Sequence, residues 1–242
     1  MEAKYRMTVE QNIFVTRRNI IDYIWKSAKL EGLAVTYPDT EAIYNGMGVS
    51  DVRVSDIIAV NNLKHAWQFV LENLSYLIDY PYICKINQLV GGNNLITNAG
   101  FLRNVPVTKG GTSWRLDIPI EPQIEEELSW IHHIENPTDR AITLMLYLMR
   151  KKMFLDGNKR TSMLAGNQVM ISSGCGVISV PIEQQRDFTT MLVQFYESDD
   201  MEPLKAFVYD YCIDGISFEP VAELETHFEN DFENEDDEDL EQ

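Results

Sequence analysis

The chain lacks any apolar run of the roughly 18 to 20 residues that a bilayer crossing requires, and its polar start, MEAKYRMTVEQN, has no apolar signal-peptide core. These absences predict a cytoplasmic protein with no membrane partner. Cysteine is scarce. Cys84, Cys175 and Cys212 stand far apart and in no CxxC or Cys/His metal spacing. They are expected as reduced core residues. Basic residues are missing after Lys205, while 12 of the 38 carboxylates fall between Glu219 and Glu241. Removing those 12 from the formal charge of −18 leaves −6 for residues 1–218. So acidic a chain offers no basic face to neutralise phosphates, which argues against nonspecific nucleic-acid binding. The run FENDFENEDDEDLEQ repels itself and offers little to bury, so a disordered, solvating tail is expected over residues 219–242.

What is present suits one large domain with appendages: 242 residues, 45% of them hydrophobic. Ile13, Val15, Ile20, Ile21, Ile24, Trp25 and Ala28 recur at helical spacing and predict one long helix from Thr8 to Leu30, stopped by Gly32. TYPDTEAIYNG reads as a loop and a short helix ending at Gly46. Further helices are expected near 55–73 and 80–90, the second broken by Gly91 and Gly92. Two short β-type runs, FLRNV and SWRLDI, flank Lys109-Gly110-Gly111 and predict a hairpin. Beyond it, helical patterns occupy 121–134, the stretch from the Asn136-Pro137 cap pair to Lys151, 159–173 ahead of Gly174, 181–197 and 201–212. Met145, Met149, Met163 and Met170 sit at helical spacing as core filler. His132 and His133 are adjacent on a helix, so they face different ways and do not share a metal. The fold class is mainly α with one small hairpin and no internal repeat.

The densest chemistry lies between Arg150 and Arg160, where five cations (Arg150, Lys151, Lys152, Lys159, Arg160) surround the carboxylate of Asp156. If a helix starts near Asn158, its unpaired N–H groups and positive dipole end face whatever lies over the Asp-Gly-Asn turn. Gly157 would permit the tight backbone path. Lys159 and Arg160 would add full charges. This pattern suits a polyphosphate, with Asp156 placed to hold Mg²⁺ between phosphate oxygens. A plainer reading of the same residues is a helix C-terminus complemented by cations and followed by an ordinary turn.

The run FLDGNKR, Phe154 to Arg160, resembles the active-site motif of the Fic/Doc family, His-x-Phe-x-Asp/Glu-Gly-Asn-Gly/Lys-Arg. Ser27-Ala28-Lys29-Leu30-Glu31-Gly32 is similar to that family's inhibitory motif, Ser/Thr-x-x-x-Glu-Gly/Asn, and lies N-terminal to the core as in one class of the family. GFLRNVPVTKGG resembles the flap that lines up a target protein as an added strand, with Arg103, Val105 and Val107 as its docking residues. The resemblance implies a Fic-type helical bundle. Residues 1–50 would be an N-terminal helical region including the inhibitory helix, 51–218 the Fic core domain and 219–242 the acidic tail.

It also implies ATP, or another nucleoside triphosphate, with Mg²⁺, and transfer of AMP to a Ser, Thr or Tyr hydroxyl of a protein substrate docked on the flap. Asp156 would hold the metal. Gly157, Asn158 and Lys159 would form the anion hole, and Arg160 would neutralise phosphate. Phe154 would anchor the loop, Glu31 would block the terminal phosphate, and Ser27 would orient the inhibitory helix end. A self-complementary homodimer is a family expectation. Three positions depart from the pattern. Lys152 stands where the family keeps its general-base histidine, and an ordinary lysine with a pKa of about 10.4 is protonated at neutral pH. Lys159 stands where most AMP-transferring members have glycine, a feature shared with the Doc branch. Met163 replaces a second arginine, which leaves Glu31 to pair with Lys159 or Arg160. A catalytically silent nucleotide-binding module and a Doc-like protein phosphotransferase are the alternatives.

Overall fold

The computed structural model describes residues 1–108 and 113–218. The expected hairpin turn at Lys109-Gly110-Gly111 and the acidic run 219–242 lie outside the described residues.

The single long helix predicted at the start is two helices, α1 (Val9–Arg18) and α2 (Ile20–Leu30). A reciprocal cap opens α1: the Gln11 N–H donates to the Thr8 hydroxyl at 3.2 Å and the Thr8 N–H to the Gln11 side chain at 2.9 Å. At Asn19 the backbone turns out of the helix (φ −105°, ψ 9°), and its N–H is shared between the Val15 and Thr16 carbonyls, each at 3.2 Å. Periodicity could not reveal this break, because Ile20, Tyr23, Ile24 and Ala28 keep facing the core across it. Helix α2 closes with a Schellman turn. Gly32 (φ +77°) donates to Lys29 O at 2.9 Å and Leu33 to Ala28 O at 3.0 Å.

The chain continues as α3 (Tyr37–Tyr44), α4 (Val54–Glu72), α5 (Tyr80–Val90), α6 (Glu121–His132), α7 (Pro137–Lys151), α8 (Asn158–Ser172), α9 (Gln185–Ser198) and α10 (Glu202–Tyr211). Asn136 caps α7 as predicted, accepting from Asp139 N at 2.9 Å. Between α5 and α6, β1 (Val107–Thr108) runs antiparallel to β2 (Arg115–Leu116) with Val107 opposite Leu116. A second antiparallel pair, β3 (Val177–Ile178) with β4 (Ile213–Asp214), was not predicted. Among the described residues no helix is long and apolar enough to cross a membrane. The three cysteines are free thiols, Cys175 and Cys212 buried and Cys84 half-buried.

Helix α8 is the axis of the bundle: every residue from Arg160 to Ile171 is buried. It is covered by α7 along its length and by α4, α5, α1 and β3 on its other sides, which is why its sequence shows so little one-sided patterning. Gly166 allows the close approach of α7, since an added Cβ would lie 3.0 Å from Ala141 O. The four methionines of the predicted stripe are all buried. Residues of α2 belong to the same hydrophobic cluster as those of α4 to α9, so the N-terminal region shares one core with the rest.

Buried asparagines pair with backbone groups of this core. Asn167 accepts from Ile178 N at 2.6 Å and donates to Ile178 O at 2.9 Å. Asn12, on α1, does the same for Gly176, at 2.7 and 3.2 Å. A two-residue strand cannot satisfy its own outward groups, and these amides take the place of a neighbouring strand. Asn167→Ala is therefore expected to leave both Ile178 groups unpaired and to lower stability by about 2–4 kcal/mol. The check is the urea midpoint at unchanged m-value, and an unshifted midpoint would show that β3 does not depend on this amide.

Candidate functional site

Helix α7 ends at Lys151, and Lys152 adopts the left-handed conformation (φ 44°, ψ 61°) with its N–H on Leu148 O at 3.2 Å. This turn divides the five cations that the sequence gathers. Arg150 pairs with Asp199 at 2.9 Å, and Lys151 pairs with Glu127 at 2.5 Å, both away from the loop that follows. Only Lys152, Lys159 and Arg160 remain on the side of Asp156. Successive helical residues point about 100° apart, so a run of cations at a helix end cannot all face one site.

The loop from Met153 to Gly157 is shaped by its own residues. Met153 and Phe154 are buried anchors. The Asn158 side chain accepts from Phe154 N at 3.0 Å and donates to Phe154 O at 2.8 Å. It thereby closes the turn and leaves only its backbone N–H for an anion. Gly157 is left-handed (φ +76°), and a Cβ there would lie 2.9 Å from Ile96 and 3.1 Å from Asn87. Sequence reasoning missed Asn87. Fully buried on α5, it donates to Asp156 O and to the Thr161 hydroxyl, each at 3.1 Å, and accepts from Gly100 N at 2.8 Å. The available signal was a polar residue on the same helical face as Ile83 and Val90.

The first bond of α8 runs from Thr161 N to Gly157 O at 2.9 Å, so the N–H groups of Asn158, Lys159 and Arg160 have no partner within the helix. Glu31, the C-cap of α2, stands at this end. Its carboxylate lies 3.2 Å from Lys159 Nζ and 3.7 Å from Arg160 Nε. The Lys159 ammonium also donates to Leu30 O at 3.0 Å. A negative group thus meets the positive end of α8, while a positive group meets the negative end of α2. Of the two partners left open for Glu31, both are used. Met163 is buried in the core instead. Ser27, also buried, receives the Glu31 N–H on its carbonyl at 3.3 Å, which ties the last turn to the cap.

Arg160 is 6% exposed, and its Nε has no hydrogen-bond partner among the described residues. Glu31 covers it at ion-pair distance without satisfying it. Asp156 is open, its side chain 69% exposed, with Oδ1 accepting from Gly157 N at 2.6 Å and 3.9 Å from Arg160. Lys152 Nζ lies 5.5 Å from the Trp114 ring centre and 5.3 Å from that of Tyr196, two rings stacked 4.8 Å apart. Burial, with the Glu31 charge adding to it, pushes the Tyr196 hydroxyl well above the usual phenol range, so it stays protonated. These groups surround a cavity of about 270 Å³ whose lining includes Glu31, Lys152, Asp156, Lys159, Val107 and Tyr196.

Strand β1 forms one wall of this cavity through Val107 and Thr108. The strand predicted across FLRNV is absent, and Arg103 supplies the reason. It is 2% exposed, and its guanidinium donates to the carbonyls of Lys152 at 2.7 Å, Val105 at 2.6 Å and Asp117 at 2.7 Å. Its own N–H goes to Met153 O at 2.9 Å. Arg103 is thus a strut between the flap's two legs and the left-handed turn at Lys152. Its side chain points inward, unlike the outward docking residue expected of it; of the other two expected docking residues, Val105 is exposed and Val107 half-buried.

The sequence model of the Fic/DOC family matches residues 77–170, the stretch from α5 to the end of α8. Proteins named protein adenylyltransferase fic-1, from Caenorhabditis briggsae and Caenorhabditis elegans, are each 24% identical to the chain, over 200 and 202 residues. These alignments cover 77% of this chain and 38% of each relative, so the chain spans well under half of their length. A solved Fic-1 fragment from C. elegans superposes with a TM-score of 0.68 at 22% identity, over 81% of this chain and 62% of that one. A Fic-domain-containing signalling protein from Bacteroides thetaiotaomicron gives 0.70 at 18%, over 80% and 82%. At such identities the superpositions establish the helical fold, and the matched segment carries the Asp156–Arg160 loop. Over residues 77–170 the chain matches the Fic/DOC family, and its helical fold is that of solved Fic proteins.

Proposed function

We propose that this site binds ATP, or another nucleoside triphosphate, with Mg²⁺, and that the chain is an auto-inhibited protein adenylyltransferase. It would move AMP to a Ser, Thr or Tyr hydroxyl of a protein lying along β1. The observation that carries this reading is the Glu31 carboxylate at the first turn of α8, beside Lys159 and Arg160. A place that already holds a carboxylate with unpaired amides and two cations suits a phosphate equally well, and both anions cannot occupy it together. The under-satisfied Arg160 supports the same assignment, because a buried guanidinium lacking a partner at Nε has capacity for a phosphate oxygen. Asp156 is the hard oxygen donor that would hold the Mg²⁺, whose charge would help neutralise the phosphates. Among the described residues no cluster of three or more His, Cys, Asp or Glu could hold a metal alone, which suits an ion shared with phosphate oxygens.

Lys152 favours a second reading, a nucleotide-binding module without transfer. An ammonium beside two aromatic rings is held as a cation. In that state it neutralises phosphate and takes no proton from a hydroxyl.

Label transfer from α-labelled ATP with Mg²⁺, scored on the chain itself and on a cell lysate, separates these readings. Glu31→Gly is expected to raise transfer by roughly 5- to 150-fold, the range of a coupling of about 1–3 kcal/mol. Adding Lys152→His should raise it by a further ~100-fold or more, since histidine tolerates the left-handed backbone better than most residues. Label only after restoring histidine would mean an intact scaffold with a disabled base. No transfer from any variant would favour the binding module, and transfer confined to γ-labelled ATP a Doc-like phosphotransferase.

Asp156→Ala is expected to remove the Mg²⁺-dependent part of nucleotide affinity, read by titrating a fluorescent ATP analogue with and without Mg²⁺. If the variant keeps the full Mg²⁺ response, Asp156 does not hold the metal.

A further inference from the structure

We propose that the cavity between α6, α7 and α9, beside β2, takes an arginine or lysine side chain of a partner protein and so anchors that protein across the flap. The cavity holds about 410 Å³, within the size range of ligand sites. Its walls carry three aromatic rings, those of Trp130, Tyr147 and Phe195, and Leu116 of β2 closes one side. Trp130 is 71% exposed, so its ring is offered to whatever enters. The chain between Leu116 and α6 adds Ile118 and Ile120, both exposed. Apolar surface therefore extends past the cavity, which suits a protein better than a free amine.

Charge decides which side chain fits. Tyr147, Arg150 and Lys151 stand in the last two turns of α7, and Phe195 stands in the last turn of α9, whose C-cap is Asp199. Two negative helix ends thus meet at the cavity. Arg150 and Lys151 answer them, and each is neutralised by a carboxylate that lies further out. Asp199 is 70% exposed against 23% for Arg150, and Glu127 is 32% exposed against 17% for Lys151. The cations therefore sit inside and the carboxylates face solvent. Asp117, Glu126 and Asp200, all exposed, adjoin lining residues in the chain, with Arg115 as the exposed cation beside them. An approaching cation meets carboxylates and ring faces that attract it, whereas an approaching anion meets carboxylates that repel it. Arg150 itself shows that these rings accept a guanidinium, which lies 5.7 Å from the Phe195 ring centre. Because β2 pairs with β1, a protein held here lies across the flap from the cavity that β1 walls. Naming that protein as the acceptor of AMP rests on the proposed function, whereas the preference for a basic side chain does not.

The test uses the full chain without nucleotide and reads no activity. A blocked tripeptide, acetyl-leucyl-arginyl-leucinamide, is titrated into the isotope-labelled chain while the backbone amide resonances are followed by NMR. Saturable shifts are expected at millimolar peptide around the cavity, at Leu116, Ile131 and Asp199 among others, and the affinity should fall as salt is raised. The citrulline counterpart, which keeps the shape and lacks the charge, should bind about fivefold more weakly or worse. Trp130→Ala, at an exposed position that the core does not need, should lower the affinity roughly 2- to 30-fold. Asp199→Asn keeps a residue suited to the left-handed cap and should lower it about 2- to 5-fold. The proposal is overturned if the arginine and citrulline peptides bind alike, or if a glutamyl counterpart binds more tightly than either. It is equally overturned if the shifts fall elsewhere on the chain or do not saturate, or if neither substitution weakens binding. Shifts at the same amides on concentrating the chain alone would give the cavity to a second copy, which also overturns it.

Discussion

Helix α8 is buried from Arg160 to Ile171, and its first two residues open on a loop whose backbone path is fixed by Gly157, Asn158 and Asn87. Its unpaired amides are therefore the one place on the bundle axis where an anion can reach helix backbone. The rest of the site is arranged around that opening. Helix α7 ends on a left-handed residue so that the chain can double back, Arg103 holds that residue's carbonyl, and the same arginine fixes the legs of the flap that walls the cavity. Burying α8 and exposing its N-terminus are two sides of one constraint.

Magnitudes indicate how Glu31 would give way to a phosphate. An ion pair of its kind, 15% exposed at the carboxylate and 31% at Lys159, contributes on the order of 1 kcal/mol. Helix α2, in contrast, buries Ile20, Tyr23, Ile24 and Ala28, and each large apolar side chain among them contributes roughly 1.5–3 kcal/mol. Undocking the helix to clear the site would cost several times what the contact itself is worth. The cheaper route is rotation of the Glu31 side chain about its own bonds while α2 stays in place. On the proposed function the carboxylate would be a gate on a fixed post, and the restraint would depend on how α2 is held more than on the strength of the pair.

Much of the site was legible because it is nearly contiguous. Asp156 to Arg160 lie in one turn, and Glu31 announces itself by the Gly32 that ends its helix. The Asn136 cap before α7 is local chemistry and could be read directly. The misses share a cause, which is that the deciding interaction is distant in sequence. Arg103 looked like an outward flap residue because nothing local shows that three carbonyls from residues 105, 117 and 152 converge on it. Asn87 serves a loop some 70 residues away. The five-cation cluster lost two members because Glu127 and Asp199 claim them from α6 and from the end of α9. Strands β3 and β4 are two residues each, too short for alternation to register, and they exist because Asn12 and Asn167 supply the missing edges.

Lys152 is where local and distant effects combine. A non-glycine residue at φ 44° carries a backbone cost of order 1 kcal/mol that persists only when its surroundings fix it. Here the surroundings do so without using the side chain. The N–H is bonded to Leu148, the carbonyl to Arg103, and the next two residues are buried anchors. The side chain is thus the one variable part of a position whose backbone is determined by its neighbours. A lysine stem is long enough to carry its ammonium to the Trp114 and Tyr196 rings, whereas an imidazole, being shorter, would end nearer the loop. The same backbone can therefore present either an imidazole beside the first turn of α8 or a cation against an aromatic pair. Which of these the site presents depends on one side chain, while the first turn of α8, the β1 wall and the Glu31 contact stay as they are.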